Sequence, residues 1–471
     1  MNKKLTKKLV INPHLKMLIN AIESLNATPI LVGGFVRDYL LDKPCIDIDI
    51  EVYGITSENL ELELSKKFSV ISAGKSFGVY KVIVDIAGDK KTFDVALPRT
   101  ENKAGSGHRG FVIGTDPFLP FEKASLRRDF TINAMGIDIK NNLLLDPHNG
   151  EEDLKKGLLK HVSVAFAEDP LRVLRAAQFC ARFNLTLHPD TLLLCRSLSK
   201  ELFSLSKERI FVEMKKLLLS EKPSIGLSVL HETHALVLFP ELFALVGCPQ
   251  DALWHPEGDV WVHSLMVTDE AALLLKTSNF SEDEKLIIAT AALCHDLGKP
   301  KTTVIKDGRI RSPAHEPAGQ DVTVNFLSKI AFPKKYYDDV ISLVVEHLKP
   351  HQLYRERDKI SDSAIKRLSN RVNIERLLYV SKADFLGRTT QEALSRHDPS
   401  YEWLKEEAFK LSVINEKPKA LILGRNLIEI GYKPGPLFSK ILRDAFEAQL
   451  NGEFDDEISA KAWLKKNINK L

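Results

Sequence analysis

The segment IDIDIEV, residues 46–52, determines how the first part of this chain folds. Its strict alternation predicts a strand with the isoleucines and the valine toward the core, and Asp47, Asp49 and Glu51 together on the other face. Carboxylates two residues apart repel each other and are poor strand formers. A divalent cation would remove that conflict, because Asp47 and Asp49 could bridge two Mg²⁺ ions. The alternative is an edge strand with a solvated acidic face. Asp94, in TFDVALPR, offers a third carboxylate.

A glycine pair precedes this strand in LVGGFVRDYLL, residues 31–41. The pattern predicts a strand, a turn at Gly33 and Gly34, and a helix that begins near Phe35. Paired glycines let backbone N–H groups approach an anion, and a helix N-terminus favours negative charge. Taken alone, a plain strand–helix turn explains the pair more simply.

The bulk properties are those of a soluble, multi-domain protein. A length of 471 residues predicts two to four domains. The net charge of +3 neither demands nor excludes a nucleic-acid partner, so any basic surface must be local. Five cysteines without paired spacing predict reduced thiols and a cytoplasmic location. The N-terminus predicts an amphipathic helix rather than a signal peptide, and no segment is long and apolar enough to span a membrane.

Secondary-structure signals divide the chain into a mixed first part and a helical remainder. After Asp146 the pattern becomes almost wholly helical, which predicts an α+β head followed by all-α regions. The clearest strand signals lie at 29–32, 46–53, 79–86, 92–97 and 143–145. Proline and charge interrupt the helical pattern at 220–224 and 395–400. The predicted domains are the head at 1–150, a helical neck at 151–222, a third domain at 223–395 and a helical tail at 396–471.

Five motifs, in order, resemble those of the class II tRNA nucleotidyltransferases and bacterial poly(A) polymerases, which belong to the polymerase-β-like nucleotidyltransferases. The motifs are GGFVRD followed by DID, LRRDFTINAM (126–135), DPHNGEEDL (146–154), EDPLRVLRAAQFCARF (168–183) and KERIFVEMKKLL (207–218). An ordered set of this kind is more specific than any single motif. The resemblance implies a polymerase-β-like sheet in the head.

The resemblance also implies roles for individual residues. Asp47 and Asp49 would hold catalytic Mg²⁺, with Asp94 as the available third carboxylate. Two metals can activate an RNA 3′-hydroxyl and stabilise the leaving pyrophosphate during in-line attack on an α-phosphate. Arginines would neutralise charge on the transferring group. The residues implied to bind the nucleotide are Gly33, Gly34, Arg37, Arg128, Asn133, Asp169, Arg172 and Arg175.

The segment 168–183 predicts a helix that begins near Pro170, with Asp169 near its N-cap. An ordinary solvated polar face would explain its arginines. In the family, however, the matching Asp and Arg select the base. Cytosine and adenine both present an amino donor beside a ring-nitrogen acceptor, so Asp169 would accept and Arg172 would donate. Uracil and guanine would leave both groups unpaired. This implies CTP and ATP as substrates, and the glycine-rich segment 97–111 resembles the loop that switches between them.

A second constellation surrounds CHDLGKP, residues 294–300, at the end of an apolar helix. The order His…His-Asp…Asp resembles the HD phosphohydrolases. Imidazole with carboxylate suits Mn²⁺, Fe²⁺, Ni²⁺ or Mg²⁺ better than a closed zinc site, and Co²⁺ belongs to the same class. The alternative is a scaffold whose histidines cap helices. The implied ligands are His263, His295, Asp296 and Asp384 for one metal and His315 and His347 for a second, with Lys299 holding a phosphate and His255 and His351 structural or facing the substrate.

The combination of head and HD domain implies a function. An attached HD domain is typical of one bacterial group of CCA-adding enzymes, where it is associated with 2′,3′-cyclic phosphodiesterase and phosphatase activity. We therefore expect template-independent addition and repair of the tRNA 3′-terminal CCA, plus a hydrolase that trims damaged RNA ends. The segment 424–454 resembles the family's closing motif and predicts a helix pair that contacts tRNA. The alternatives are an A-adding, CC-adding or poly(A)-adding enzyme, or a phosphoester hydrolase whose head only binds RNA.

Overall fold

The chain forms two compact units. A computed structural model describes residues 2–5, 7, 9–45, 47–74, 78–103 and 111–468. One unit comprises Met1–Glu213 with Ile225–Leu238, and the other comprises Met214–Ser224 with Phe239–Leu471. Within the described ranges, every helix is too short or too polar to cross a lipid bilayer. The five cysteines are free thiols, as their spacing predicts.

The first unit is built on an eight-stranded sheet of order β1-β10-β9-β2-β3-β6-β5-β4, in which β3 and β6 run parallel. Two short pairs, β7 with β8 and β11 with β12, lie apart from it. The strands are β1 Asn2–Lys4, β2 Thr28–Val32, β3 Asp49–Tyr53, β4 Ser69–Gly74, β5 Val79–Ile86, β6 Asp89–Ala96, β7 Arg99–Lys103, β8 Phe111–Thr115, β9 Gly136–Asp138, β10 Leu143–Leu145, β11 Leu158–Leu159 and β12 Thr186–Leu187. The helices are α1 Pro13–Glu23, α2 Gly34–Leu40, α3 Ser57–Ser65, α4 Phe121–Ser125, α5 Gly150–Lys155, α6 Leu171–Phe183 and α7 Pro189–Ser197, while α8 Lys207–Leu218 and α9 Pro223–Glu232 have residues in both units.

The predicted strands are found, with two differences at their ends. β3 begins at Asp49, so Asp47 precedes the strand, and Ile46 lies outside the described residues. β6 begins at Asp89 instead of residue 92, because Ala87 and Gly88 both adopt positive φ (53° and 90°) and close a tight hairpin. Such a turn pairs the strands from their first residues, and the exposed polar start of β6 carries no hydrophobic alternation to reveal it.

The segment 97–111 was expected to be a loop, and for part of its length this is wrong. Arg99–Lys103 forms β7 and pairs antiparallel with Phe111–Thr115. Residues 104–110 lie outside the described residues. The glycines that suggested a loop lie in that excluded stretch, whereas the flanking residues satisfy their backbone groups by pairing with each other.

The second unit is almost wholly helical and carries one described hairpin, β13 Val304–Lys306 with β14 Arg309–Arg311. Its helices are α10 Pro240–Phe243, α11 Val260–Lys276, α12 Glu282–Cys294, α13 Lys299–Thr302, α14 His315–Lys329, α15 Tyr337–Glu346, α16 Lys349–Arg355, α17 Asp362–Arg371, α18 Ile374–Leu386, α19 Gln391–Leu394, α20 Pro399–Lys410, α21 Gly424–Glu429, α22 Pro436–Leu450 and α23 Glu457–Asn467.

Helix α12 is the centre of this unit. A capping box between Ser281 and Glu284 begins it, and every residue from Leu286 to Cys294 is buried. A helix that is apolar on all sides must be surrounded by others, and α11, α15 and α18 pack against it. The helix therefore delivers the residues that follow it, His295 and Asp296, to the interior of the unit.

The tail has a small core of its own. Leu427 of α21, Ile441 of α22 and Leu464 of α23 are buried in one cluster with Phe454. Helices α21 and α22 form the pair predicted for 424–454, joined by the turn that contains Gly431 (φ 89°). The prediction of a helix pair is confirmed.

Candidate active sites

The glycine turn of the first unit adjoins the acidic strand. Gly33 adopts φ 72°, a left-handed conformation that L side chains rarely accept. A Cβ built there would lie 3.2 Å from Asp49 Oδ2 and 3.5 Å from Arg128 Nη1. A side chain at Gly33 would thus crowd the carboxylate and the guanidinium. The β2–β3 pairing sets Val32, next to Gly33, opposite Asp49, while Arg128 approaches from a segment distant in sequence, with its Nη2 3.6 Å from Glu51.

Three carboxylates lie near this turn. β3 and β6 are parallel neighbours with Asp49 opposite Asp94, and Lys81 donates to Asp94 Oδ1 at 2.8 Å. Asp47 is exposed just before β3. In the part of the chain that the structure describes, these three residues do not place one carboxylate oxygen each within 4.8 Å of one another. Desolvation, together with the charges of Asp94 and Asp47, raises the pKa of Asp49 against the opposing effect of Arg128. Carboxylate oxygens are the ligands that hard divalent cations such as Mg²⁺ prefer, so this donor set suits such a cation.

Glu51, the third acidic residue of the alternating segment, is buried rather than solvated with its neighbours. It is 1% exposed, and its carboxylate accepts from Arg127 Nη2 at 3.0 Å and from the Tyr53 hydroxyl at 2.8 Å. Arg128 Nη2 lies 3.6 Å from it. The expectation of a shared exposed face is therefore wrong for Glu51, because the two arginines of LRRDFTINAM neutralise it inside the fold.

Arg37, predicted to contact phosphate or ribose, is only 5% exposed. Its Nη1 donates to Asn133 Oδ1 at 2.8 Å, and its Nε donates to Asp38 Oδ1 at 2.9 Å. The guanidinium carbon lies 4.2 Å from the centroid of the Phe183 ring, at the end of α6. These contacts fix Arg37 between the glycine turn and the helix that carries the base-selecting motif.

The same network continues into α6. Asn133 donates to Asp129 Oδ1 at 3.1 Å, and Arg175 donates to Asp129 Oδ2 at 2.6 and 2.8 Å. Although burial opposes ionisation, Arg175 and Asn133 hold the pKa of Asp129 below its usual range. Arg175 Nη1 also lies 3.9 Å from Glu213 Oε1. Two residues assigned to nucleotide binding, Asn133 and Arg175, are thus joined through a buried carboxylate.

Asp169 stands at the start of α6, as predicted. Its Oδ1 accepts from the backbone N–H of Leu171 at 3.1 Å, and its Oδ2 accepts from Arg209 Nη2 at 2.7 Å. Arg209 belongs to the motif KERIFVEMKKLL on α8. The side chain of Asp169 remains 20% exposed, so it can still be reached from solvent.

Arg172, one helical turn further, is held by backbone carbonyls. Its Nη1 donates to Ala165 O and its Nη2 to Arg127 O, both at 2.7 Å. The expected solvated polar face of this helix is wrong for Gln178, which is 1% exposed and accepts from Arg182.

The second unit gathers a dense set of histidines and carboxylates in its interior. Three groups of three place one ligand atom per residue within 4.8 Å of one another: His263 with His295 and Asp384, Asp296 with His315 and His347, and His255 with Glu257 and His263. His263 Nε2 lies 3.1 Å from Asp384 Oδ1 and 3.3 Å from His295 Nε2. Asp296 lies between the groups, with its oxygens 3.1 Å from His295 Nε2 and 3.2 Å from His315 Nε2. The fold brings all six predicted ligands into one cluster.

Three of the four histidines are oriented by a nearby backbone carbonyl. Each donates its Nδ1–H to the backbone carbonyl three residues earlier, which leaves Nε2 as the atom free to bind a metal. The pairs are His295 with Ala292 at 2.8 Å, His315 with Ser312 at 2.9 Å and His347 with Val344 at 2.7 Å.

Carboxylates and cations surround the cluster. Glu257 Oε1 lies 2.8 Å from His263 Nδ1 and 2.9 Å from His255 Nδ1, so this carboxylate orients the fourth histidine. Arg388 donates to Asp384 Oδ2 at 2.7 Å, and Lys299 Nζ lies 2.6 Å from Asp296 Oδ2. These cations offset negative charge that burial would otherwise penalise.

The donor set fits divalent metal. Both oxygens of Asp296 and Nε2 of His315 are buried without a well-aligned hydrogen bond. Although burial opposes it, His295 and Lys299 hold the pKa of Asp296 well below its usual range. Burial, with the neighbouring His295 and His315, lowers the pKa of His347 to about 3. Deprotonated imidazole and carboxylate are the forms that bind metal.

Comparison with known proteins finds a family match for each of the two units. The chain matches the poly A polymerase head domain at residues 30–160, the probable RNA- and SrmB-binding site of polymerase A at 184–245, and the HD domain at 260–388. It is 38% identical over 375 residues to the multifunctional CCA protein of Xylella fastidiosa (strain 9a5c), covering 77% of this chain and 84% of the relative. The chain belongs to the multifunctional CCA protein family. A second relative, from Stenotrophomonas maltophilia (strain K279a), is 37% identical over 371 residues, with coverage of 76% and 86%.

Solved structures share the fold of this family member. The Bacillus stearothermophilus CCA-adding enzyme in complex with CTP matches with a TM-score of 0.67 at 22% identity, covering 98% of this chain and 99% of that one. The Thermotoga maritima CCA-adding enzyme complexed with tRNA matches with a TM-score of 0.60 at 20% identity, covering 97% and 96%. The predicted polymerase-β-like head and helical remainder are confirmed.

Sequence reasoning missed several residues that complete these sites in the multifunctional CCA protein fold. Arg388 follows its partner Asp384 by four positions, a helical spacing that could have identified it. Glu257 lies in a turn with no periodic signal. Arg209 was inside a quoted motif, but its pairing with Asp169 spans 40 residues and cannot be read from spacing.

Proposed function

We propose that this protein adds and repairs the 3′-terminal CCA of tRNA from CTP and ATP, without a nucleic-acid template, in the cytoplasm. The observation that carries the proposal is the meeting of Gly33, Asp49 and Arg128, with Asp94 opposite Asp49. A glycine turn accepts a triphosphate, the carboxylates accept Mg²⁺, and the guanidinium neutralises phosphate charge.

The chain's own residues would position the reactants. The backbone at Gly33 and Gly34 would hold the triphosphate beside Asp49. Arg128, kept in place by Glu51, would offset charge on the transferring phosphate. When bound, Mg²⁺ at Asp47 and Asp49 supplies activation of the RNA 3′-hydroxyl and charge neutralisation of the pyrophosphate.

Base selection would use the start of α6. Asp169 would accept from the amino group of cytosine or adenine, and Arg172 would donate to the ring nitrogen. In the structure each has another partner, Arg209 for Asp169 and backbone carbonyls for Arg172. The Asp169 carboxylate would therefore accept hydrogen bonds from both the base and Arg209. An N–H group of Arg172 would donate to the base. We propose that Arg209 orients the Asp169 carboxylate.

Extension of tRNA lacking CCA tests the head. With CTP and ATP, the wild-type protein should add three nucleotides and stop. Asp49→Asn should reduce the rate at least 100-fold, because it removes a metal ligand without changing side-chain shape. Asp85→Asn, an exposed carboxylate on β5, is the matched control and should extend tRNA normally. A D49N protein with wild-type activity contradicts the metal assignment, and a product of A only, CC only or a long tail supports the corresponding alternative.

We also propose that the second unit hydrolyses phosphoesters at RNA 3′ ends, with Ni²⁺, Mn²⁺, Co²⁺, Fe²⁺ or Mg²⁺ as its metal. The supporting observation is the cluster of Nε2 atoms around Asp296, whose carboxylate Lys299 also contacts. Asp296→Asn should abolish hydrolysis of a nucleoside 2′,3′-cyclic phosphate while leaving CCA addition intact. Loss of both activities in D296N would contradict two separate sites. Loss of neither activity would contradict the role of Asp296 in hydrolysis.

A further inference from the structure

A cavity of about 460 Å³ opens beside the metal-ligand cluster. Its floor includes Asp296, His315 and His347, and its rim includes Trp254 and the β13–β14 hairpin. Volumes of 300–1,000 Å³ are typical of small-molecule sites, so one nucleotide fits at the floor. The rim residues therefore lie where the rest of a larger ligand would pass.

Trp254 is the first unusual feature of this rim. It is 56% exposed, although an indole of this size gains more than most side chains from burial. It lies in the turn before α11, next to His255, which contacts Glu257. An exposed aromatic ring at the mouth of a polar cavity is a platform on which a flat base can stack.

The second feature is unpaired positive charge. Arg309 and Arg311 stand exposed on β14 and line the cavity, as does Arg355 at the end of α16. Among the residues that the structure describes, no carboxylate lies within 4.0 Å of any of these three guanidinium groups. Lys299 and Arg388, by contrast, are engaged at the floor by Asp296 and Asp384. The floor cations are thus occupied by metal ligands, while the rim cations are available to an external anion.

We propose that the rim is a binding site for the end of a single-stranded oligonucleotide, in which Trp254 stacks on the terminal base and Arg309 and Arg311 bind the preceding phosphates. The proposal rests on the proposed hydrolytic function of the floor, because it names the ligand that the floor would act on. A stacking platform recognises a base, and two arginines beyond it recognise a continued phosphodiester chain. The preferred ligand is therefore a polymer end rather than a free nucleotide.

Base stacking is tested with Trp254→Ala and Trp254→Phe. The substrates are adenosine 2′,3′-cyclic phosphate and 1-O-methylribose 2′,3′-cyclic phosphate, which lacks the base. W254A should lower kcat/KM for the adenosine compound about 10-fold and leave the base-free compound unchanged, because one stacking contact contributes roughly 1–3 kcal/mol. W254F should retain most of the activity. Leu253→Ala, the exposed neighbour, is the control. An equal loss on both substrates, or no loss on either, overturns the role of Trp254.

The arginines are tested with the double variant Arg309→Gln/Arg311→Gln. It should hydrolyse the mononucleotide normally but lower kcat/KM for a short oligonucleotide with a 2′,3′-cyclic end. It should also reduce the slope of log kcat/KM against log salt by about 1.4, because each lost phosphate contact on single strands contributes about 0.7. Lys306→Gln, on the same hairpin but outside the cavity, should behave as wild type. Unchanged oligonucleotide kinetics and salt slope overturn the proposal.

A binding measurement tests the rim site independently of the proposed hydrolytic function. A 3′-phosphorylated oligonucleotide is titrated into chelator-treated wild-type protein while tryptophan fluorescence is recorded. Quenching that is present in wild type and absent in W254F supports the rim site even if the protein hydrolyses no phosphoester tested. Equal quenching in both proteins places the oligonucleotide elsewhere and overturns it.

Discussion

The contacts of Arg37 favour a positioning role at the proposed nucleotide site over direct contact with the nucleotide. Its guanidinium is nearly inaccessible, and its nitrogens donate to Asp38 and Asn133. We expect Arg37→Lys to lower the free energy of unfolding by about 2 kcal/mol, because a lysine cannot replace both hydrogen bonds and the stack on Phe183. Urea denaturation followed by circular dichroism measures this. Lys43→Gln, which removes an exposed cation near the same ring, should cost far less. A raised KM for CTP with unchanged stability would instead indicate direct phosphate contact.

Asp129 gives a prediction for pH at the same scale. Its pKa in the folded state is lowered, so its contribution to stability is present above the unfolded pKa of about 4 and is lost as pH falls through the folded pKa. Asp129→Asn should therefore lower the free energy of unfolding at pH 7 by about 2 kcal/mol, as measured by urea denaturation. The difference in this free energy between the variant and the wild type should become smaller as the pH falls from 5 to 3. A difference that is independent of pH would mean that packing, and not the ion pair with Arg175, accounts for the loss.

At the scale of elements, the contact between α13 and α14 positions one metal ligand. A Cβ on Gly298 would lie 1.9 Å from His315 O and 2.6 Å from Gly319 N. Gly298→Ala should force α14 away from Asp296 and weaken metal binding at His315, with overpacking costing about 1–3 kcal/mol. Calorimetric titration with Mn²⁺ measures this effect, while CCA addition should continue. Gly435→Ala, whose Cβ would approach only the Lys433 carbonyl oxygen, at 4.0 Å, is the control. If G298A binds Mn²⁺ as the wild type does, the contact between Gly298 and α14 does not control metal binding at His315.

Elements also show where sequence reasoning succeeds and fails. The alternation at 46–52 predicted β3 because its register is a local property, and the motif order predicted the head. Glu51 was misjudged because its neutralisation depends on Arg127, 76 residues away. The metal cluster could be assembled from HDLGKP only by resemblance, since His263 meets Asp384 across 121 residues. Hydrogen bonds such as that of Arg172 to Ala165 O depend on backbone placement, which no pattern of residue types encodes.

At the scale of the whole molecule, each compact unit holds its own site. We expect two thermal transitions, of which CTP with Mg²⁺ raises one and Mn²⁺ at micromolar concentration raises the other. A ligand at 100 times its Kd stabilises its unit by about 2.7 kcal/mol. Differential scanning calorimetry should show the first shift lost in D49N and the second lost in D296N. A single transition that responds equally to both ligands would contradict independent units.

The self-oriented histidines have a consequence for metal supply. Because His295, His315 and His347 take their ring orientation from backbone carbonyls three residues earlier, exchanging one cation for another requires little rearrangement of the ligands. Selection among transition metals then depends on intrinsic affinity and on which ion the cell has in excess. The proposed hydrolytic activity of the second unit would therefore vary with the supply of transition metals in the cell. The proposed Mg²⁺ site of the first unit would stay filled, because magnesium is abundant.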